Sequence, residues 1–383
     1  MKIVLTGGAT GGHFYPLIAV AEAIHDIVAE RHLVSPRLYY IAPTPYDEKS
    51  LFDNEITFIK SPAGKMRRYA SIMNFIDPFK TLIGTIRTFF VLFSLYPDAI
   101  FSKGGFASVP TVLAARMLGI PVIIHESDAK PGRANLLAAK SAYRIAVAFP
   151  SAAQYFPPKT RGKIAETGIP VRKTVLGAPI EGAGEFLGLS KDLPTVLILG
   201  GSSGSTRINE TILQALPDLV GFGNVIHQTG QGLFTEVEKT ARAILGANPN
   251  ADRYKAVPFM SADSLRQAAT LADVVVSRAG ATAITEIALW GKPAILIPIP
   301  EDVSHDQRTN AYAYAHTGAA EVIEEANLTP HVLASEVRRI TSDVALKTRM
   351  SEKAAGFASP NGARIIAEEL LSIGLMHEPI QKV

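Results

Sequence analysis

One stretch in the second half of the chain combines a buried strand, a glycine turn and a helix start. Residues 274–276, all valine, predict the strand, which breaks at Ala279-Gly280, and a helix is expected to begin near Thr282. The free N–H groups and the positive dipole end of a helix start favour a diphosphate. Glu286, one turn into the helix, can accept hydrogen bonds from a ribose diol. The spacing therefore predicts a nucleoside diphosphate site.

A second strand and a polar turn follow this helix. Residues 294–297 predict another buried strand, and Asp306-Gln307 can offer carboxylate and amide groups to sugar hydroxyls. A nucleotide-sugar is the ligand that uses all three features. The alternative is an ordinary strand, turn and helix of a parallel sheet, in which Glu286 is only a solvated helix residue. Related turns elsewhere in the chain favour the ligand.

The chain opens on a glycine-rich turn, TGGATGGH at residues 6–13. No glycine in it starts a G-x-G-x-x-G pattern, no acidic residue ends the second strand at residues 40–43, and no Gly-Lys-Ser/Thr is present. These absences disfavour hydride transfer and P-loop phosphoryl transfer. The turn predicts a backbone-lined anion cradle with His13 beside it, leading into a helix at 16–28. The alternative is a tight turn with a capping histidine.

Two further loops also follow predicted strands. Residues 102–106 read SKGGF and place Lys103 in an amide-rich turn, and residues 125–128 read HESD. Because loops at the carboxyl ends of parallel strands converge on one crevice, we expect both to meet the opening turn. Their contents suit an anionic acceptor. His13 is our first candidate for a general base and Glu126 the second; alternatively, His13 holds the acceptor diphosphate.

Strand and helix patterns alternate in both halves of the chain, which predicts an α/β protein with two doubly wound parallel sheets. The second half restarts with a strand at 195–199, a GGSSGS turn and a helix at 207–216. We predict an N-terminal domain at 1–172 that binds acceptor and membrane, a linker at 173–194, and a C-terminal domain at 195–383 that binds the nucleotide-sugar. The last helix is a candidate to pack back on the N-terminal domain.

Composition bounds the function further. The 383 residues are 47% hydrophobic and contain no cysteine, which excludes disulfides, thiolate metal ligands and a cysteine nucleophile. Residues 1–172 carry 20 Lys and Arg against 12 Asp and Glu, whereas the remainder carries 18 against 23. The basic half fits an anionic membrane or acceptor. Nucleic acid is not expected, since no binding motif and no basic platform interleaved with aromatics is present.

The segment at residues 65–93 bears on membrane contact. Apolar residues recur there at steps of three and four from Ile72 to Phe93, among Lys65, Arg67, Arg68, Lys80 and Arg87. This pattern predicts a cationic amphipathic helix that docks on anionic lipid, and the alternative is an ordinary core helix. No apolar stretch is expected to reach the roughly 20 residues of a membrane span.

Taken together, the ordered motifs carry a family resemblance. They are residues 10–13, 103–105, 125–126, 167–172, 200–202, 278–286, 306–307 and 310–311. The chain resembles the MurG family of bacterial peptidoglycan N-acetylglucosaminyltransferases, which have the GT-B fold of two Rossmann-like domains facing each other across a cleft. The resemblance implies inverting, metal-independent transfer of GlcNAc from UDP-GlcNAc to undecaprenyl-diphosphate-MurNAc-pentapeptide, converting lipid I to lipid II, by a peripheral enzyme at the cytoplasmic face of the membrane.

The resemblance also assigns positions in this sequence. Donor contacts are implied at Thr10, Gly11, Gly12, Asp128, Arg172, Ser202, Met260, Ala281, Thr282, Ala283, Ile284, Thr285, Glu286 and Gln307. The acceptor diphosphate is expected at Gly8, His13, Lys103, Gly104 and Gly105. The chain departs from the family pattern at Ser127-Asp128, where Gln-Asn is usual. An ionised Asp128 accepts but does not donate hydrogen bonds.

No cofactor and no metal is expected, because the chain has no Asp-x-Asp and no His/Cys cluster at ligand spacing. Three alternatives stay open. The first is a UDP-GlcNAc 2-epimerase, which would leave the basic aromatic segment without a role. The second is a transferase of the same fold with a different lipid acceptor. The third is a non-catalytic sugar-nucleotide-binding protein, motivated by Asp128.

Overall fold

The computed structural model describes residues 1–8, 10–65, 73–176, 188–190, 192–201, 204–301 and 305–376, with the side chains of 73–75, 305 and 306 outside the description. Several predicted features lie outside the described residues. They are Ser202, most of the predicted linker, residues 66–72 of the basic segment, and the side chain of Asp306. The chain divides into two compact units, one comprising Met1–Arg172 with the segment from Pro360, the other Lys173–Ser359.

Within the described residues, the first unit contains a seven-stranded parallel sheet of order β3-β2-β1-β4-β5-β6-β7. Its strands are β1 Lys2–Thr6, β2 Arg37–Ala42, β3 Ile56–Lys60, β4 Ala99–Ser102, β5 Val122–Glu126, β6 Arg144–Val147 and β7 Ile164–Glu166. The inner strands β1, β4 and β5 are almost wholly buried, as expected for apolar strands covered on both faces.

Helices connect these strands on both faces of the sheet. They are α1 Gly11–Glu30, α2 Glu48–Asp53, α3 Met73–Leu95, α4 Val109–Leu118 and α5 Arg133–Ala139. Short 3-10 turns cover Phe106–Ser108, Pro150–Tyr155 and Pro158–Lys163. Helix α1 packs with β1 and β2 into one core, and α4 packs with β4 and β5 into the other.

The second unit contains a six-stranded parallel sheet of order β10-β9-β8-β11-β12-β13 within the described part of the chain. Its strands are β8 Thr195–Leu199, β9 Asn224–Gln228, β10 Tyr254–Val257, β11 Val274–Ser277, β12 Ala294–Leu296 and β13 Ala320–Val322. Its helices are α6 Lys173–Leu176, α7 Thr206–Phe222, α8 Phe234–Leu245, α9 Ala262–Leu271, α10 Ala281–Leu289, α11 His305–Ala315, α12 Pro330–Ser342 and α13 Val344–Ala355, with 3-10 turns at Ala251–Arg253 and Glu325–Asn327. The predicted fold class, two doubly wound parallel sheets, is confirmed.

Both sheets reverse their winding direction at one place. In the first unit the strand order turns between β1 and β4, and in the second it turns between β8 and β11. Ligands of doubly wound folds bind outside the carboxyl ends of the strands at such a point. The loops after β1 and β4 carry the glycine turns of the first half, and the loop after β11 carries Gly280. The topology therefore brings the predicted motifs to the binding edges.

The last helix of the described chain, α14 at Gly362–Met376, belongs to the first unit. Its buried face includes Ile366, Leu370 and Ile373, which join the core formed by α1 and β1. Exposed ion pairs, including Arg364 with Glu30, flank this contact and contribute little to stability. Apolar burial therefore holds α14 on the first unit.

Helix α3 has one packed face and one bare face. Leu92 is buried with the core, with Phe89 and Leu95 packed against it. By length and composition, its Ile76–Leu95 portion is long and apolar enough to cross a membrane, and little of it is buried in the protein. The expectation that no stretch would reach this length is therefore wrong, because the helix continues through Lys80 and Arg87.

Candidate active site

Helix α10 begins where the sequence places the diphosphate site. Gly280 is its N-cap and offers no side chain, so the first-turn amides of Ala281, Thr282 and Ala283 are not capped by it. The amide of Ile284 is already bonded to the carbonyl of Gly280 at 3.0 Å. Ala281, Ile284 and Thr285 bury their side chains in the protein. Of the predicted run 281–286, the first three amides and the half-buried Glu286 are thus placed to meet a ligand.

Gln307 links the loops after β11 and β12. Its Oε1 accepts from the amides of Ala279 and Ile299, both at 3.2 Å. Two N–H donors fix which end of the side-chain amide is the oxygen, so the Nε2 group is left as a donor of two hydrogen bonds. This arrangement suits contact with phosphate or sugar oxygens.

Arg278 and Gln228 hold the neighbouring loops. Arg278 pairs with Glu325 at 2.6 Å and donates to Ser205 Oγ, the N-cap of α7, at 2.7 Å. Gln228 accepts from the amide of Met260 at 3.0 Å and donates to the carbonyl of Gly201 at 3.2 Å. Sequence reasoning missed Gln228, since a glutamine ending a strand carries no motif.

In the first unit, His13 lies in the first turn of α1. Its Nδ1 is 2.9 Å from Thr10 Oγ1, which fixes the ring. A side chain at Gly105, which has φ of +75°, would meet the Nε2 edge of the ring at 3.3 Å, so the second glycine turn lies against His13. Burial, and to a lesser extent the charge of Lys103, lowers the pKa of His13 to about 4. His13 is therefore neutral at pH 7.

The first turn of α1 is less open than that of α10. The amide of Gly11 donates to the Tyr46 hydroxyl, and the amide of His13 donates to the carbonyl of Thr10 at 3.1 Å. Tyr46 has a left-handed backbone with φ of +61°, a strained conformation for a residue with a side chain. Thr10 and Gly12 are exposed, and Gly11 is the half-buried member of the three predicted donor contacts in this turn.

Glu126 is a buried carboxylate, 3% exposed, with its oxygens occupied. Oε1 accepts from the amide of Asp128 at 2.9 Å, and Oε2 accepts from the amide of Gly132 at 3.0 Å and from Asn135 Nδ2 at 2.9 Å. Both carboxylate oxygens are therefore engaged by donors of their own loop. The geometry favours His13 over Glu126 as the base and gives Glu126 the role of holding its loop.

Lys103 and His125 lie beneath these loops. Lys103 is 2% exposed, and its Nζ donates to Ser127 Oγ. The ammonium group is therefore not presented to a ligand directly, and its charge acts through the glycine turn at 104–105. His125 is fully buried and donates from Nε2 to the carbonyl of Gly168 at 2.8 Å. Burial and the Lys103 charge hold the pKa of His125 well below its usual range. Gly8 and Gly104 are buried in the two turns.

Arg172 ends the first unit. Its guanidinium lies 3.9 Å from the ring centroid of Tyr15, a cation–π contact. Tyr15 packs edge-on against Tyr46 at 5.9 Å, and the charge of Asp47 acts on both Arg172 and Tyr15. The planar cation is thus held in one orientation by an aromatic face. Among the described residues, no three His, Asp or Glu side chains are grouped as a metal ion would need.

Comparisons with known proteins agree with this geometry. The chain matches the glycosyltransferase family 28 N-terminal domain over residues 3–147 and the glycosyltransferase family 28 C-terminal domain over residues 195–366. It therefore belongs to glycosyltransferase family 28.

Several relatives within that family carry the same name. A UDP-N-acetylglucosamine--N-acetylmuramyl-(pentapeptide) pyrophosphoryl-undecaprenol N-acetylglucosamine transferase of Treponema denticola is 36% identical over 97% of both chains. One of Lachnospira eligens is 34% identical over 89% of this chain and 91% of its own. The crystal structure of Acinetobacter baumannii MurG has a TM-score of 0.73 at 27% identity, covering 97% of this chain and 99% of that one. The resemblance to the MurG family is confirmed.

Structures of other enzymes share the fold. A UDP-GlcNAc 2-epimerase of Neisseria meningitidis bound to UDP-GlcNAc has a TM-score of 0.67 at 15% identity, covering 97% of this chain and 100% of that one. At this identity the likeness concerns the fold alone. The choice between transfer and epimerisation therefore comes from the relatives and from the site.

Proposed function

We propose that this protein transfers N-acetylglucosamine from UDP-N-acetylglucosamine to undecaprenyl-pyrophosphate-linked N-acetylmuramyl pentapeptide. The observation that carries the proposal is the 36% identity over 97% of both chains to a relative named for this reaction. The site supports it, since open amides at α10 suit a nucleoside diphosphate and a neutral histidine at α1 suits an acceptor hydroxyl.

The donor is proposed to bind mainly to the second unit. The amides of Ala281–Ala283 would hold the diphosphate, because a helix start combines free donors with a positive dipole end. Glu286 would accept from the ribose hydroxyls, and Gln307 Nε2 would donate to phosphate or sugar. The carbonyl of Met260 is the backbone group left to accept from the uracil, because its amide is taken by Gln228.

Residues of the first unit are proposed as donor contacts on the resemblance, each described within its own unit. Arg172 is suited to the diphosphate, since a guanidinium keeps its charge at every working pH. Thr10, Gly11 and Gly12 remain proposed contacts, and Thr10 and Gly12 are the exposed ones. Asp128, which is half-buried beside Glu126, can only accept from a sugar hydroxyl. In the second unit, Ser202 stays a proposed contact on the resemblance alone.

The chemistry proposed is a direct displacement. The acceptor hydroxyl attacks the anomeric carbon as the bond to UDP breaks, which inverts that centre. If Nδ1–H of His13 donates to Thr10 Oγ1, the Nε2 lone pair is free to take the hydroxyl proton. Negative charge growing on UDP would be stabilised by preorganised amides at α10. The acceptor diphosphate would lie on the glycine turns 7–8 and 104–105, above the charge of Lys103.

The epimerase alternative is distinguished by one assay. Incubation with UDP-GlcNAc alone and then with the lipid-linked acceptor should release UDP only in the second case, with a β-linked disaccharide product. Formation of UDP-ManNAc without acceptor would instead establish epimerisation. UDP binding without either product would establish a non-catalytic binding protein, and transfer only to another lipid would correct the acceptor.

Peripheral docking at the cytoplasmic face of the membrane is proposed through α3. Its outward face carries large exposed apolar side chains, and the exposed Arg87 lies among them. The exposed apolar side chains are those of Ile76, Phe79, Leu82, Ile83, Ile86, Phe90 and Phe93, each 43–67% exposed. Since the opposite face packs on the first unit, the helix is suited to lie in the interface rather than span the bilayer.

Vesicle sedimentation tests this docking. Phe90→Ser with Phe93→Ser should reduce binding to anionic vesicles severalfold, whereas Phe52→Ser should not, although Phe52 is 83% exposed on α2. Equal binding of both variants to vesicles would show that α3 is not the docking surface.

A further inference from the structure

Gln228, the last residue of β9, joins two loops that are far apart in the sequence. The residue is 6% exposed, its Nε2 donates to the carbonyl of Gly201 at 3.2 Å, and its Oε1 accepts from the amide of Met260 at 3.0 Å. Because one end of the side-chain amide faces a carbonyl and the other an N–H group, its orientation is fixed. One buried side chain therefore ties the glycine turn after β8 to the loop after β10.

The backbone on either side of Gln228 is itself held in place. Asn209 Nδ2 donates to the carbonyl of Thr229 at 2.9 Å, and Asn209 Oδ1 contacts Nε2 of His227 at 3.0 Å. The amide of Thr229 donates to the carbonyl of Val257, the last residue of β10, at 3.0 Å. Buried polar groups with satisfied hydrogen bonds specify one arrangement. Gln228 is thus a fixed support, and the two loops bonded to it take their positions from it.

The loop after β10 is anchored on both sides of Met260. The side chain of Met260 is buried in a core with Leu199, and the next residue, Ser261, caps α9 by accepting from the amide of Ser264 at 3.2 Å. Phe259, on the other side, is 50% exposed, so the loop borders solvent. Since the side chain and the amide of Met260 are both engaged inside the protein, its carbonyl is the group left to accept from a base.

A backbone carbonyl distinguishes nucleobases by the hydrogen-bonding group that faces it. Uracil carries a donor at N3, whereas cytosine carries an acceptor lone pair at the same position. A carbonyl held towards N3 therefore accepts from uracil and repels cytosine, and a site built for one pattern rejects the other. A backbone amide in the same place would favour cytosine, because it donates. The bond from the Met260 amide to Gln228 keeps that amide away from the ligand.

We propose that Gln228 determines the nucleobase specificity of the donor site, selecting uracil over cytosine by engaging the Met260 amide and fixing the Met260 carbonyl. The inference rests on the proposed function, in which that carbonyl accepts from the uracil. Gln228 acts through Met260 and is a positioning residue. Its two hydrogen bonds have different effects: the bond to Met260 sets base selectivity, and the bond to Gly201 sets affinity for the whole nucleotide.

Calorimetric binding of UDP and CDP to the full-length protein tests the proposal. The wild type should bind UDP about 10- to 100-fold more tightly than CDP, because cytosine leaves a buried polar group unpaired. Gln228→Met keeps an unbranched side chain but loses both hydrogen bonds, and should lower this ratio to about threefold or less. Gln228→Glu keeps an acceptor for the Met260 amide, so it should weaken the binding of both nucleotides and retain the ratio. A purely structural role would leave the ratio unchanged in both variants.

Gln231→Met is the matched control, because Gln231 is an exposed glutamine in the turn after the same strand. It should bind both nucleotides like the wild type. Circular dichroism checks the fold, and Gln228→Thr replaces Gln228→Met if the latter does not fold, since the threonine hydroxyl is too short to reach the Met260 amide.

A UDP-to-CDP ratio in Gln228→Met equal to that of the wild type would overturn the proposal and leave the proposed transfer reaction intact. The nucleotide 3-methyl-UDP, which lacks the N3 hydrogen, tests the underlying contact. If the wild type bound UDP, CDP and 3-methyl-UDP equally, the uracil contact at Met260 would itself be wrong, and the inference would fall with it.

Discussion

The helices α1 and α10 both begin after a glycine turn at the carboxyl end of a strand. They differ in which groups occupy their first-turn amides. At α1 the first-turn amides are partly occupied by Thr10 and Tyr46, and the turn carries a histidine over a buried lysine. At α10 the N-cap is Gly280, which caps nothing, and the neighbouring side chains are buried.

The difference indicates a division of labour. A helix start with open amides binds anions through the backbone and has no group that changes charge near pH 7. A helix start with a held, neutral histidine can accept a proton. We therefore expect the second unit to supply donor affinity and the first to supply turnover. The following predictions test that division, beginning with the largest effect.

His13→Ala should lower kcat by about 100- to 10,000-fold, the range for loss of a general base. Affinity for UDP, measured by calorimetry, should stay within about twofold, because His13 is proposed to act on the acceptor proton rather than on the nucleotide. His316→Ala, an exposed histidine, serves as the control and should retain activity. A large loss of UDP affinity in His13→Ala would contradict the assignment of donor affinity to the second unit and turnover to the first.

Glu286→Ala should weaken UDP binding by about 10- to 100-fold, since hydrogen bonds to charged groups contribute about 1.5–3 kcal/mol. The wild type should prefer UDP over 2′,3′-dideoxy-UDP, and the variant should bind the two equally. If the variant still discriminated between these nucleotides, the ribose contact would have to be placed elsewhere.

Tyr15→Leu should raise KM for UDP-GlcNAc by about two- to tenfold with a smaller change in kcat, because loss of a cation–π contact of about 0.5–1 kcal/mol or more frees Arg172. Tyr15→Phe keeps the ring and should behave like the wild type. Steady-state kinetics with each substrate varied in turn separates the effect on KM from the effect on kcat. An equal defect in both variants would point to the hydroxyl instead.

His227 provides a buried histidine in the second unit for comparison with His13. Its Nδ1 contacts the Tyr254 hydroxyl and its Nε2 contacts Asn209 Oδ1, each at 3.0 Å, and burial lowers its pKa to about 3. The unfolded chain binds this proton near pH 6.5, so stability is complete above that pH and falls below it. Between pH 7 and 6 the loss should be roughly 0.7 kcal/mol. His227→Gln should flatten the dependence of Tm on pH, and an unchanged slope would contradict the assignment.

Sequence periodicity predicted the inner strands β8, β11 and β12 because they are continuous apolar runs, whereas the inner strands β6 and β9 were not predicted. The predicted strand 195–199 matches β8 residue for residue, and the helix expected near Thr282 begins at Ala281. The edge strand β10 was missed, since its sequence YKAV is half-polar and half-buried. Glycine turns marked the binding edges because few other residues permit such backbones.

Side-chain direction could not be predicted in the same way. Lys103 was expected to face a diphosphate, yet it points inward to Ser127, because only the folded loop after β5 supplies its counter-charges. Glu126 was a candidate base, yet its donors come from Gly132 and Asn135, whose proximity depends on the path of the loop. The positive φ of Tyr46 could not be predicted, since nothing in the neighbouring sequence indicates a left-handed backbone there.

Hydrogen exchange of the full-length protein with and without UDP tests the central claim most directly. We predict that UDP slows exchange most at the first turn of α10, residues 281–283, and in the loop carrying Met260, while the glycine turns of the first unit change little. Protection concentrated at residues 7–13 and 103–106, with α10 unaffected, would contradict the account.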